Sequence, residues 1–210
     1  VYTHELLSIA ANSYINGVHS QRIWIVENST LKSRDYIVDE FVKFCLTESS
    51  RMVLDPKVES SISNISKRLD NKELGDLTIS QSISILNFLR TLQKLSILGY
   101  NSSKYDLCIM FKQIAKSYVR ITNDKKLKII KKGRKYFSIM MGSIWFKDLL
   151  NFSIPTSLDN YLKTWGKSMS KYAFPYEHFS SIEEMKLCLI FPKKKSFHTL
   201  LKGDINDELY

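Results

Sequence analysis

The sequence predicts an α/β fold, a mixed β-sheet flanked by helices with a β-meander inserted. Three observations carry this. Apolar runs rich in β-branched and aromatic residues alternate with stretches whose apolar residues recur at helical spacing. A short apolar run at 95–100 leads through a polar turn into a helix, and 118–148 breaks into short runs separated by turn residues. With 210 residues, 44% apolar and 25% charged, and with 7 Gly and 4 Pro, the chain can bury the core of one domain. That composition excludes disordered, collagen-like and low-complexity classes.

Leu6 to Ala11 reads as a first strand and Arg22 to Glu27 as a second. Ser33 can cap a helix in which Tyr36, Ile37, Val38, Phe41, Phe44 and Cys45 share a face. Residues 49–78 are Ser-rich and charged, the signature of a surface excursion that is partly helical. Ser80 caps a second helix that buries Ile83, Ile85, Leu86, Leu89, Leu92 and Leu95. Leu95 to Tyr100 suits a buried strand, Asn101 to Lys104 a turn, and Tyr105 to Tyr118 a helix. Four strand-like runs follow, at 118–122, 127–130, 136–140 and 144–146, and predict an antiparallel meander. Helices at 157–166 and 181–189 complete the reading.

Charge is placed unevenly. The net charge is +10, yet residues 1–100 carry 11 basic and 11 acidic side chains, so the whole excess lies beyond 100. A basic half points to a polyanion, nucleic acid first; a solvated surface biased to lysine, 24 Lys to 7 Arg, is the plainer alternative. Lys125, Lys126, Lys128, Lys131 and Lys132 stand in a run that could track a phosphate backbone, or could simply guard a strand edge from pairing. Lys193 to Lys195 reads as plain surface or linker charge.

Other motifs are weak. Cys45, Cys108 and Cys188 are odd in number and far apart, which argues against a disulfide framework or a structural zinc site and fits a reducing compartment. His4, His19, His178 and His198 have no metal-ligand spacing, and no Gly-rich phosphate loop is present. Asn28-Ser29-Thr30 and Asn64-Ile65-Ser66 fit glycosylation sequons, a match that arises readily in a Ser- and Asn-rich chain. Nothing at the start reads as a signal peptide, and the longest apolar stretch, 137–146, is too broken to span a bilayer. The last residues read as a helix start without its body, so an excerpt of a longer protein is expected.

The best chemical candidate is Asn101-Ser102-Ser103-Lys104-Tyr105-Asp106. The carboxyl end of a buried strand is where open α/β sheets place ligands. Asp106 in the helix's first turn could hold a divalent cation, Asn101 could hydrogen-bond a substrate backbone, and Tyr105 could stack. The plain alternative is an Asp favoured by the helix dipole and an Asn favoured in turns.

Leu98 to Leu107 resembles the second exonuclease motif of family B DNA polymerases, in the version found in protein-primed polymerases of viruses, organellar plasmids and Polinton/Maverick transposons. Further stretches follow in that subgroup's order: Ile144 to Phe152, a strand ending in Asp; Ser157 to Leu162; and Lys171 to Glu177 with its Phe-Pro-Tyr. His4 to Ile9 is similar to the segment after the family's first exonuclease motif. The resemblance implies a ribonuclease H-like exonuclease domain, incomplete over 1–210, with about 190–210 leading toward the rest of a polymerase. It implies Asp106 as a metal ligand for Mg²⁺ or Mn²⁺, with Tyr105 beside it in the motif. It further implies Asn101, Ser157, Leu158 and Tyr161 as contacts to a single-stranded primer end, and DNA, deoxynucleotides and a terminal priming protein as partners of the parent.

The family's remaining carboxylates would lie upstream of Val1 and beyond Tyr210, with Leu201 to Ile205 as the approach to the last motif, so the two-metal site is expected to be incomplete and this piece inactive alone. Without the resemblance, Thr156 or Ser157 is a helix cap, and Leu158 and Tyr161 are the packed face of that helix. Two other readings stay open: a non-catalytic basic module for single-stranded nucleic acid, and a degenerate mobile-element domain without activity.

Overall fold

The computed structural model describes residues 8–27, 30–53, 55–73, 75–133, 135–166, 175, 178–198 and 203. His4 to Leu7, most of Lys171 to Glu177 and the approach at 201–205 apart from Gly203 lie outside these residues.

The chain opens with a hairpin, β1 (Ser8–Ile15) against β2 (Val18–Ile25), in register from Ser8↔Ile25 to Ile15↔Val18. The turn is Asn16-Gly17, with φ of 51° and 79°, the left-handed pair that matches the twist of two antiparallel strands. Both strands are longer than the apolar runs suggested, because the turn, not the apolar composition, sets where they end.

Helix α1 (Leu31–Ser50) is capped by Thr30, whose hydroxyl accepts from the Ser33 N–H at 3.2 Å. Ser33, the expected cap, instead accepts from the Glu27 N–H at 2.9 Å. Ile37, Val38, Phe41, Val42, Cys45 and Glu48 form the buried face of α1. Helix α2 (Pro56–Asp70) starts with Asp55 as cap and Pro56 in its first turn, and buries no residue, as befits the surface excursion. Helix α3 (Ile79–Leu92) begins at a Thr78/Gln81 capping box rather than at Ser80. It buries only Ser82 and Leu86, while Ile83, Ile85 and Leu92 are exposed. The apolar periodicity there predicted more burial than its main partner, the surface helix α2, can provide.

The central sheet has the order β3-β6-β5-β4: β3 (Leu95–Gly99), β4 (Leu127–Lys132), β5 (Lys135–Met141) and β6 (Ile144–Asp148). β3 and β6 are parallel, and β4-β5-β6 is an antiparallel meander turning at Gly133 and Gly142. The meander has three strands. Residues 118–122, expected as a strand, are the last turns of α4 (Asp106–Thr122). Their strand-like composition yields to the helical spacing that buries Ile114 and Tyr118 on the same face as Leu107, and Asn123 at φ 56° ends the helix. A short helix α5 (Leu158–Trp165) and another, α6 (Ile182–Leu187), follow, capped by Ser157 and Ser181. The fold is thus α/β, a mixed sheet flanked by helices. Among the described residues, no helix is long and apolar enough to cross a membrane.

Helices α1 and α4 pack against each other, linked by an Arg120–Asp39 ion pair, and together with β5 and β6 form the core around Ile37, Val42, Ile114, Ile139, Met141 and Ile144. Cys45 lies in this core, where burial pushes its thiol up to about 12. The hairpin joins through Trp24, edge-on to Phe41 and Phe44, and through Glu48. Glu48 is 3% exposed and accepts from the Ser13 hydroxyl and from Arg51 at 2.6 Å. Burial alone would raise its pKa; the hydrogen bonds from Ser13, Arg51 and Ser20, with the Arg51 charge, outweigh burial and lower it.

A carboxylate lowered in the folded state stabilises the fold above its unfolded pKa, about 4.3, and loses that contribution as pH falls through the folded value. Urea titrations across this acid range should show stability falling as Glu48 is protonated. Glu48→Gln should remove that part of the pH dependence. An unchanged acid profile in Glu48→Gln would place the sensitivity elsewhere.

Candidate functional site

The site forms where β3 ends. Gly99 is required there by space: a Cβ would meet the Ser102 Cβ and Oγ at 2.5 Å. The chain then turns sharply, with Asn101 at φ 55°, and closes on itself through Lys104 N–H to Asn101 O (3.3 Å) and Leu107 N–H to Ser102 O (2.8 Å). Ser102 and Ser103 are buried beneath this turn.

Asp148, the last residue of the neighbouring strand β6, holds the turn in place. It is 1% exposed, and its two oxygens accept from the Ser103 N–H at 2.9 Å and the Leu150 N–H at 3.0 Å. One carboxylate thereby joins the end of β6, the short 3₁₀ helix at Leu149–Asn151 and the loop after β3. Each carboxylate oxygen satisfies one backbone donor that would otherwise be left without a partner away from water.

Asp106 is the first residue of α4, exposed at the end of β3. Its carboxyl is raised above the ordinary Asp value, chiefly by partial withdrawal from water, with the Asp148 charge adding to the effect and a backbone hydrogen bond opposing it. Tyr105 is half exposed, with the Lys104 ammonium 5.1 Å from its ring centroid.

Tyr100 brings in the second group of residues. Its hydroxyl donates to the Thr156 carbonyl, and its ring lies 5.4 Å from that of Tyr161. Ser157, Leu158 and Tyr161 are therefore held at the same end of the sheet as Asn101, Tyr105 and Asp106. The Ser157 hydroxyl caps α5 by accepting from the Asn160 N–H at 3.2 Å, and Leu158 and Tyr161 are half-buried along one face.

The basic run divides. β4 runs parallel to β3 and β6, so Lys131 and Lys132 lie at the site's end of the sheet, three strand spacings or about 14 Å from β3. Lys125 and Lys126 precede β4 and Lys128 is its second residue, at the opposite end. A bulge between Ile130 and Lys131 breaks the expected alternation, and Lys131 lies 4.6 Å above the Tyr136 ring.

Among the described residues no group of three His, Cys, Asp or Glu side chains could hold a cation. Asp148 is committed to backbone N–H groups, which leaves Asp106 as the open carboxylate of this loop. Cys45, Cys108 and Cys188 are free thiols. Sequence reasoning passed over Asp148 and Tyr100. Asp148 stands out only as the Asp that closes a strand, and Tyr100 as an aromatic next to a turn; their partners are far away in sequence. Comparison with protein-family models, with curated proteins and with solved structures finds no match to this chain.

Asp148→Ala leaves the Ser103 and Leu150 N–H groups without their acceptor. We expect a destabilisation of about 3 kcal/mol and faster amide exchange at both residues. Asp148→Asn, which retains one acceptor oxygen, should lose roughly half as much. Exchange at Ser103 that matches the unsubstituted chain would show that the loop stands without the carboxylate.

Proposed function

We propose that this chain is most of a ribonuclease H-like 3′–5′ proofreading exonuclease domain, part of a DNA-directed DNA polymerase of the protein-primed family B type. One juxtaposition supports the reading. Tyr100 joins two segments 56 positions apart, the loop with Asn101, Tyr105 and Asp106 and the helix with Ser157, Leu158 and Tyr161. These are the two segments on which the family resemblance places the primer's 3′ end, and the sequence alone offers no reason for them to meet.

In this reading the strand end presents three kinds of contact to a single-stranded terminus. The Asn101 amide hydrogen-bonds the nucleotide, the Ser157 hydroxyl donates to a phosphate, and the exposed Tyr105 ring offers a stacking surface. Lys131 and Lys132 extend positive charge along the same end. Asp106 is the chain's contribution to cation binding. The described residues supply no further open carboxylate beside it, so no hydrolytic step is assigned to this chain alone. Deoxynucleotides and a terminal priming protein belong to the parent enzyme.

The isolated chain should bind single-stranded DNA weakly and with strong salt dependence. Replacing Lys131 and Lys132 by Gln should flatten the slope of log K against log salt by about 1.4, some 0.7 for each phosphate no longer neutralised. Replacing Lys125 and Lys126 should change it less. An equal effect of both pairs would make the basic run a general counterion surface, as in a non-catalytic binding module.

The catalytic half of the reading is tested with the native flanks restored, in a single-turnover assay on a labelled 3′ end. The 210 residues alone should not degrade DNA with Mg²⁺, whereas the extended protein should. In it, Asp106→Ala should lower degradation by at least about a hundredfold while primer extension survives. Asn101→Ala should have a smaller effect, as a loss of substrate alignment. Degradation that persists in Asp106→Ala would overturn the site assignment.

A further inference from the structure

The two faces of the four-stranded sheet differ. α1 and α4 pack on one of them, around Ile139, Met141, Ile144 and Phe146. Side chains alternate along each strand, so the register assigns the residues of the other face. Ser96, Trp145 and Lys128 stand in one row across the sheet, and Leu98, Lys147 and Ile130 in the next. Leu98 is 55% exposed and Ile130 41%, so this face meets solvent. It carries two lysines and no acidic side chain. The second row lies one residue short of Gly99 and Asp148, at the strand ends that hold the candidate site.

Lys147 is the unusual member of this face. Its ammonium lies 3.6 Å from the centroid of the Trp145 ring and donates to the Ser96 hydroxyl at 2.9 Å. Trp145 is fixed in turn, its indole N–H donating to the Ser138 hydroxyl at 2.6 Å. Among the described residues no carboxylate lies within ion-pair distance of Lys147. Burial lowers its pKa and no neighbouring charge opposes this, whereas Lys94, lowered by burial too, has Asp124 to oppose it. A cation partly withdrawn from water without a counterion is unfavourable, and an anion arriving beside it offsets that cost. An ammonium has three donors; Ser96 uses one, which leaves others for an incoming oxygen.

We propose that Lys147, held by Ser96 and Trp145, binds a phosphate of a single-stranded nucleic acid that crosses this face of the sheet, with Lys128 taking a second phosphate farther along. The inference rests on the proposed function for the source of the strand, a terminus held at Asn101 and Ser157, and adds the surface over which the strand leaves. Lys128 stands two strands and two residues away from Lys147, about 12 Å between backbones. A polynucleotide spans that separation; a free phosphate does not. The apolar neighbours narrow the class further. Leu98, Ile130 and the half-buried Trp145 offer contact to bases and sugars, which a single strand presents and a duplex hides. An acidic peptide would match the charge but brings no ring to lie on them.

Labelling the 210-residue chain with 5-fluorotryptophan gives fluorine resonances for Trp24, Trp145 and Trp165, and Trp145→Phe assigns that of Trp145. Added decathymidylate should shift the Trp145 resonance along the binding curve. Lys147→Gln should weaken binding at least about fivefold at low salt and flatten the slope of log K against log salt by about 0.7; Lys147→Arg should restore most of both. The fluorine shift needs no substitution at Lys147, so the test stands even where Lys147→Gln folds poorly. A Trp145 resonance that stays in place while the oligonucleotide binds overturns the inference and leaves the proposed function to its own tests. An equal shift with inorganic phosphate, or with decaglutamate, overturns it too, assigning the ammonium to any small anion or to an acidic peptide. No oligonucleotide binding at all overturns both readings. A Trp145 shift beside an unaltered salt slope in the Lys131→Gln, Lys132→Gln variant upholds this site and counts against the strand-end reading.

Discussion

The buried face of α1 is the element on which the rest of the structure depends. The hairpin β1-β2 makes its main contacts outside itself with this helix, through Trp24 on Phe41 and Phe44 and through Ser13 on Glu48. The same face packs Phe41 against Phe146 of the central sheet, and Asp39 pairs with Arg120 of α4. Among the described residues, a single amphipathic helix therefore holds two sheets whose strands do not pair with each other. Most of that attachment is burial of apolar surface, which is strong but not directional. The Glu48 cluster adds direction, because a buried carboxylate is tolerated only where its donors are in place.

The same logic recurs at the candidate site with another carboxylate. Asp148 sits at the end of β6 and satisfies two backbone N–H groups of adjoining loops. Asp106 is left exposed at the start of α4, its carboxyl raised mainly by incomplete hydration and then by the Asp148 charge. Two acids near the end of one pair of parallel strands thus take different parts. One is consumed by architecture, and the other remains available to a ligand. Tyr100 links this pair of strands to α5, so the polar loop and the Ser157 helix share one end of the sheet.

Much of this was legible in the residues themselves. The strand at 95–99, the polar turn after it and the helix from 106 follow from composition and spacing. So do the meander, the excursion before α3 and the cap at Ser157. The misreadings have identifiable causes. At 118–122, β-branched and aromatic residues suggest a strand, yet a helix already under way gains more by continuing its buried stripe to Tyr118. At Thr30 and Thr78 a competing serine lies two or three residues on, and the backbone donors that need capping decide which hydroxyl serves.

What the sequence determined by itself is local: most of the helices and strands, the turn at Gly142, and the basic bias of the second half. These depend on periodicity, backbone conformational preference and charge, all of which act over a few residues. The tertiary structure alone decided which edges stay unpaired, how the lysine run divides between the two ends of the sheet, and that Asp148 serves the loop while Asp106 faces outward. Those outcomes depend on strand order and direction, and on donors more than forty positions away, as between Ser103 and Asp148. No local pattern encodes them, because they exist only once the parallel pairing of β3 with β6 has brought the strand ends together.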